Sequence, residues 1–150
     1  MHHLKTIVVA TDFSEGATRA LDTAASLAEV HHARVIAVHV CEFRPELGLQ
    51  GDDSCETEER LAAVAEAELI KAAERSVRSR GVESEVIVRR GAPWEKIHNV
   101  ATDVGADLIV IGAQGQRGMP RVFGSVAERL VRTATRPVLV VQGEAAARVG

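Results

Sequence analysis

Five short apolar runs, set apart by stretches of helical periodicity, constrain this chain more than any other feature. They are residues 4–11 (LKTIVVAT), 34–41 (RVIAVHVC), 82–89 (VESEVIVR), 107–111 (DLIVI) and 138–141 (VLVV). Mostly unbroken and β-branched, such runs suit strands buried on both faces. The third alternates polar and apolar at its start, which suits a strand near the sheet edge. Ser14 is placed to cap a first helix, with Ala17, Ala20, Leu21, Ala24, Ala25 and Ala28 on one face. Residues 42–55 read as a surface loop. A second helix is expected from Glu56 to Arg80, with Leu61, Val64, Ala65, Leu69, Ala72, Ala73 and Ser76 inward and Gly81 closing it. Pro93 begins a third helix, lined by Trp94, Ile97, Ala101 and Val104. Val126, Ala127, Leu130, Val131 and Ala134 form the stripe of a fourth, stopped by Pro137. Strands joined by helical crossovers pair in parallel through right-handed connections. The expected fold is α/β, a doubly wound five-stranded parallel sheet in the order 3-2-1-4-5 with helices on both faces. With no internal repeat or linker, residues 1–150 read as one domain.

Composition removes several function classes. A formal charge of −3 leaves no basic excess to displace counterions from a nucleic acid. Aromatic residues are 3% with no Tyr, so a stacking platform for single-stranded bases is not expected. No apolar run approaches the roughly 18 residues of a membrane span. Cys41 and Cys55 form no C-x-x-C and read as free thiols of a reducing compartment, which places the chain in the cytoplasm.

In the order 3-2-1-4-5 the reversal falls between strands 1 and 4, and a ligand belongs beyond their carboxyl ends. Strand 1 ends at Ala10-Thr11-Asp12. Strand 4 ends at Ile111-Gly112 and opens the segment IGAQGQRGMPRVFGS, residues 111–125. Glycines allow close backbone approach, and the amides of a helix start favour an anion. A nucleotide fits this pairing, with Asp12 near the base or sugar and the glycine segment around phosphate. Arg117 and Arg121 could pair with phosphates or lie exposed. Plainer readings stand beside these: Asp12 as a turn residue, Gly112 and Gly115 as a tight turn, and Ser125-x-x-Glu128 as a capping box. The segment has neither a P-loop lysine nor the dinucleotide G-x-G-x-x-G spacing, and the chain has no G-x-S-x-G or H-E-x-x-H. His39 interrupts a buried-type strand and reads as a hydrogen-bonded core histidine, and His98 likewise. No nucleophile, base and orienting group emerge together, so no catalytic residue and no protein metal site is assigned.

Four stretches in order, IVVATDFSEGATRAL, VIAVHV, ADLIVIGAQG and GSVAERLVRTATRPVLVV, carry a resemblance to the universal stress protein family over essentially the whole chain. ATP-binding members of that family carry G-x2-G-x9-G-[ST]. Here the matching positions are Gly112, Gly115, Gly124 and Ser125, with eight residues where the signature has nine. The resemblance implies ATP or AMP as ligand, with Mg²⁺ bound through the phosphates and little or no hydrolysis. It implies base and ribose contacts from Ala10, Thr11, Asp12 and Val40, packing from Ile111 and a backbone contact from Val126. It also implies a regulatory role in the stress response and a homodimer paired through the last strand, Val138–Val141. That strand is a short apolar edge, which invites pairing on its own account. A dimeric interaction protein of the same fold that binds no nucleotide is the alternative.

Overall fold

The computed structural model describes residues 3–42, 52–114 and 124–143, with the backbone alone of residues 52–55. The strands are β1 (Thr6–Ala10), β2 (Arg34–Cys41), β3 (Ser84–Arg90), β4 (Leu108–Gly112) and β5 (Val138–Val141). The helices are α1 (Glu15–His31), α2 (Asp52–Ser76), α3 (Pro93–Val104) and α4 (Ser125–Thr133). The sheet runs β3-β2-β1-β4-β5 with every neighbouring pair parallel, as expected from the alternation of strand and helix patterns.

Strand side chains alternate between two cores. On one face Ile7, Val9, Val35, Ala37 and Val110 pack under α1 and α2. On the other Val8, Ala10, Ile36, Val38, Val40, Ile109 and Ile111 pack under α3 and α4. All five residues of β1 are buried, which explains its unbroken apolar run. The alanines expected on α1 are all buried, and such small side chains let the helix lie close to the sheet.

Three local expectations are corrected. α2 begins at Asp52, inside the segment read as loop, because Asp52, Asp53 and Ser54 suit a helix's first turn as well as a turn. It ends at Ser76, after which Arg78–Arg80 forms a 3-10 turn closed by Gly81 at φ 77°. Within α2, Ala65, Leu69 and Ala73 are buried, but Leu61 and Val64 are exposed, as is Val131 on α4. Periodicity locates a face; it does not say where the sheet beneath that face stops.

At the amino ends of the strands, the Asp107 carboxylate accepts the backbone N–H groups of Lys5 (2.8 Å) and Thr6 (3.0 Å). The Lys5 amide is the largest influence holding this carboxyl below its ordinary value. The Thr6 amide and the charges of Lys5 and Arg136 act in the same direction, while partial burial opposes them.

Candidate functional site

The register Val9↔Val110 sets the carboxyl ends of β1 and β4 side by side where the strand order reverses. Ala10, Val40 and Ile111, from three adjacent strands, are buried in one cluster with Ala127, and Val126 packs against it. Residues far apart in sequence therefore form one apolar wall below the crest. Thr11 is buried and Asp12 half-buried in the turn above it.

That turn is held by its own side chains. Phe13 N–H donates to Thr11 Oγ1 (3.1 Å), Ser14 N–H to Asp12 Oδ1 (3.0 Å) and Ala17 N–H to Ser14 Oγ (3.2 Å). Ser14 is thus the N-cap of α1, as expected. Asp12 does serve as a turn residue through one oxygen. Phe13 sits at φ 66°, a region that non-glycine residues seldom adopt, and this hydrogen-bonded frame holds it there.

The turn after β4 is built differently. Gly124 N–H donates to the Ala113 carbonyl at 2.6 Å, so the two flanks of residues 115–123 meet. Ala113 N–H donates to the Val141 carbonyl (2.9 Å), extending the β4–β5 ladder up to this junction. Gly124 is the N-cap of α4, with extended backbone and no side-chain cap. The capping-box reading of Ser125 is therefore corrected: Ser125 is the first helical residue and its side chain is exposed. The first bond from the helix to its cap runs from Glu128 N–H to the Gly124 carbonyl (3.0 Å), which leaves Ser125, Val126 and Ala127 as the first-turn amides. Gly115, Arg117 and Arg121 lie outside the described residues.

Gly112 gains a different reason for being glycine. A Cβ there would lie 2.8 Å from the backbone C and O of Gly16, the second residue of α1. A Cβ on Gly16 would in turn lie 2.8 Å from the Gln114 carbonyl oxygen. The start of α1 and the end of β4 touch backbone to backbone, so Gly112 serves helix packing at the crest. Sequence reasoning missed Gly16, whose only signal was a glycine in the first turn of an otherwise alanine-rich helix.

His39 lies at the carboxyl end of β2, where its Nδ1 stands 2.8 Å from the Thr11 carbonyl. It is hydrogen-bonded as expected, though only part-buried. Cys41, two residues on, is half-buried; burial pushes its thiol up, and the nearby Arg90 charge opposes this. Arg129 lies over the Trp94 ring, 4.2 Å from its centroid, and ties α4 to α3 beside the wall. Among the described residues no group of three or more His, Cys, Asp or Glu is placed to hold a metal. No helix there is long and apolar enough to cross a membrane.

Residues 3–142 match the model of the universal stress protein family. The chain belongs to that family. A universal stress protein of Methanocaldococcus jannaschii is 34% identical over 139 residues, covering 92% of this chain and 82% of the relative. Among solved structures, a universal stress protein in complex with cAMP superposes with a TM-score of 0.72 at 28% identity, covering 95% of this chain and 100% of that one. The Archaeoglobus fulgidus universal stress protein in complex with dAMP gives 0.61 at 28% identity, covering 94% and 99%. Family membership and the doubly wound sheet thus agree with the resemblance drawn from the four sequence stretches.

Proposed function

We propose that this universal stress protein binds an adenine nucleotide, ATP or AMP, at the β1–β4 crest and acts as a regulatory protein of the stress response. The observation that carries the reading is the start of α4, which has no side-chain cap and is anchored through Gly124 N–H to Ala113 just past the end of β4, the neighbour of the strand that leads into Thr11 and Asp12. An uncapped helix start suits an anion through its amides and its dipole. The apolar wall of Ala10, Val40 and Ile111 suits a base, and Asp12 a ribose. The cAMP and dAMP complexes of relatives support this choice of ligand class. Gly115, Arg117 and Arg121 complete the phosphate side in this reading, and Mg²⁺ enters bound through the phosphates.

The role is binding with at most slow hydrolysis. Asp12 Oδ1 and Thr11 Oγ1 already accept backbone amides, so both groups are engaged in holding their turn. We further propose that residues 1–150 form one domain, that it acts in the cytoplasm and that it pairs as a homodimer through β5. In support, β5 is an apolar edge, whereas the opposite edge strand, β3, exposes Glu85, Arg89 and Arg90, charges that discourage pairing.

Mass spectrometry of the purified protein under native conditions, followed by titration with labelled ATP and Mg²⁺, tests the ligand. Retained nucleotide or saturable binding is expected, with Gly115→Val weaker than the wild type. No binding at millimolar nucleotide would instead leave the dimeric interaction protein as the reading.

A further inference from the structure

We infer that His39 is a positioning residue for the nucleotide site, acting through the Thr11–Asp12 peptide; the inference rests on the nucleotide reading above. The β1–β2 ladder runs up to the bond from Thr11 N–H to the Val38 carbonyl (2.9 Å). At the next carbonyl, that of Thr11, the His39 side chain supplies the donor at 2.8 Å. A carbonyl can only accept, so Nδ1 carries the hydrogen. The same ring packs on Phe13, with centroids 4.7 Å apart and planes tilted by 33°. One imidazole therefore holds both the carbonyl that begins the turn and the positive-φ residue at its bend.

The consequence follows from peptide geometry. The C=O and N–H of a trans peptide point in opposite directions within one plane. Among the described residues there is no cis bond, so fixing the Thr11 carbonyl fixes the direction of the Asp12 amide, which points away from His39. It also fixes the peptide from which the Asp12 side chain departs. His39 thus sets the approach of Thr11 and Asp12 to a nucleoside without touching it.

The test compares His39→Leu, which removes the donor, with His39→Asn, whose side-chain N–H lies near the place of Nδ1. Titration with ATP and Mg²⁺ is paired with amide hydrogen exchange at Phe13 and Ser14 in the nucleotide-free protein. The expected result is roughly tenfold weaker binding and faster exchange in the Leu variant, with most affinity recovered in the Asn variant. If the Leu variant does not fold, His39→Gln, which moves the donor outward, replaces it with the same expected loss. Wild-type binding with unchanged affinity in the Leu variant overturns this inference alone. Loss of affinity in the Leu and Asn variants alike also overturns it, since packing and not the carbonyl bond would then be responsible. A wild type that binds no nucleotide overturns the site reading and this inference together.

Discussion

Two helices begin at the same crest, and they begin differently. α1 is entered through a turn in which Thr11, Asp12 and Ser14 each accept a backbone N–H, and one of its first-turn amides, that of Ala17, is taken by the Ser14 side chain. α4 is entered through Gly124, which offers no side chain to its amides and whose own N–H donates to the Ala113 carbonyl. Dipole and orphan amides are common to all helix starts. What separates a structural start from a candidate anion site is whether the sequence has already supplied the acceptor. The turn before α1 is built to hold a shape and caps its helix through Ser14, whereas the start of α4 has no side-chain cap.

The largest expected effect comes from the contact that joins the two turns. Gly112→Val places a side chain 2.8 Å from the Gly16 backbone and should cost about 1–3 kcal/mol through overpacking. Urea denaturation reads this directly, and an unchanged midpoint would refute the backbone contact. Ser14→Ala should lower stability by about 1 kcal/mol, the usual cost of a lost cap. Ser125→Ala should change stability by less than about 0.5 kcal/mol, because Ser125 is an exposed first helical residue and not the N-cap, and should weaken ATP binding. Equal destabilisation by the two serine variants would erase the contrast. Gly124→Asp gives α4 the cap it lacks. Its stability should move by only a few tenths of a kcal/mol, while ATP affinity falls as the carboxylate competes with phosphate.

The amino end of the sheet provides a control remote from the crest. The Asp107 carboxyl is held below its ordinary value, chiefly by the Lys5 amide. Its stabilisation is complete above the unfolded carboxyl's value of about 3.9 and is lost as pH falls through the lower folded value. The stability gap between wild type and Asp107→Asn should therefore be constant near neutrality and close in acid, with ATP affinity at neutral pH unaffected.

Much of this was legible in the chain. The sheet order followed from apolar runs alternating with helical periods, and Ser14 and Pro93 announced their helices through local chemistry. The family was legible from four stretches taken together. The misses are non-local or concern extent. Leu61 and Val64 are periodic with Leu69, but a 25-residue helix spans about 37 Å and an eight-residue strand about 26 Å, so the helix outruns the strands it covers. Asp52 and Asp53 fit a loop or a helix start equally well. Gly112 was singled out for a phosphate or a tight turn, whereas its backbone packing on Gly16 is visible only once β4 and α1 are placed together. His39 was recognisable as a bonded histidine, while its acceptor, the Thr11 carbonyl, depends on strand register. Ser125-x-x-Glu128 has the letters of a capping box; the backbone places the cap one residue earlier.

The contrast between the two helix starts is tested most directly by following backbone amide resonances during titration with ATP and Mg²⁺. Saturable shifts at Ser125, Val126 and Ala127, with little change at the capped Ala17, are the predicted result. Shifts at the α1 amides with none at α4 would contradict it.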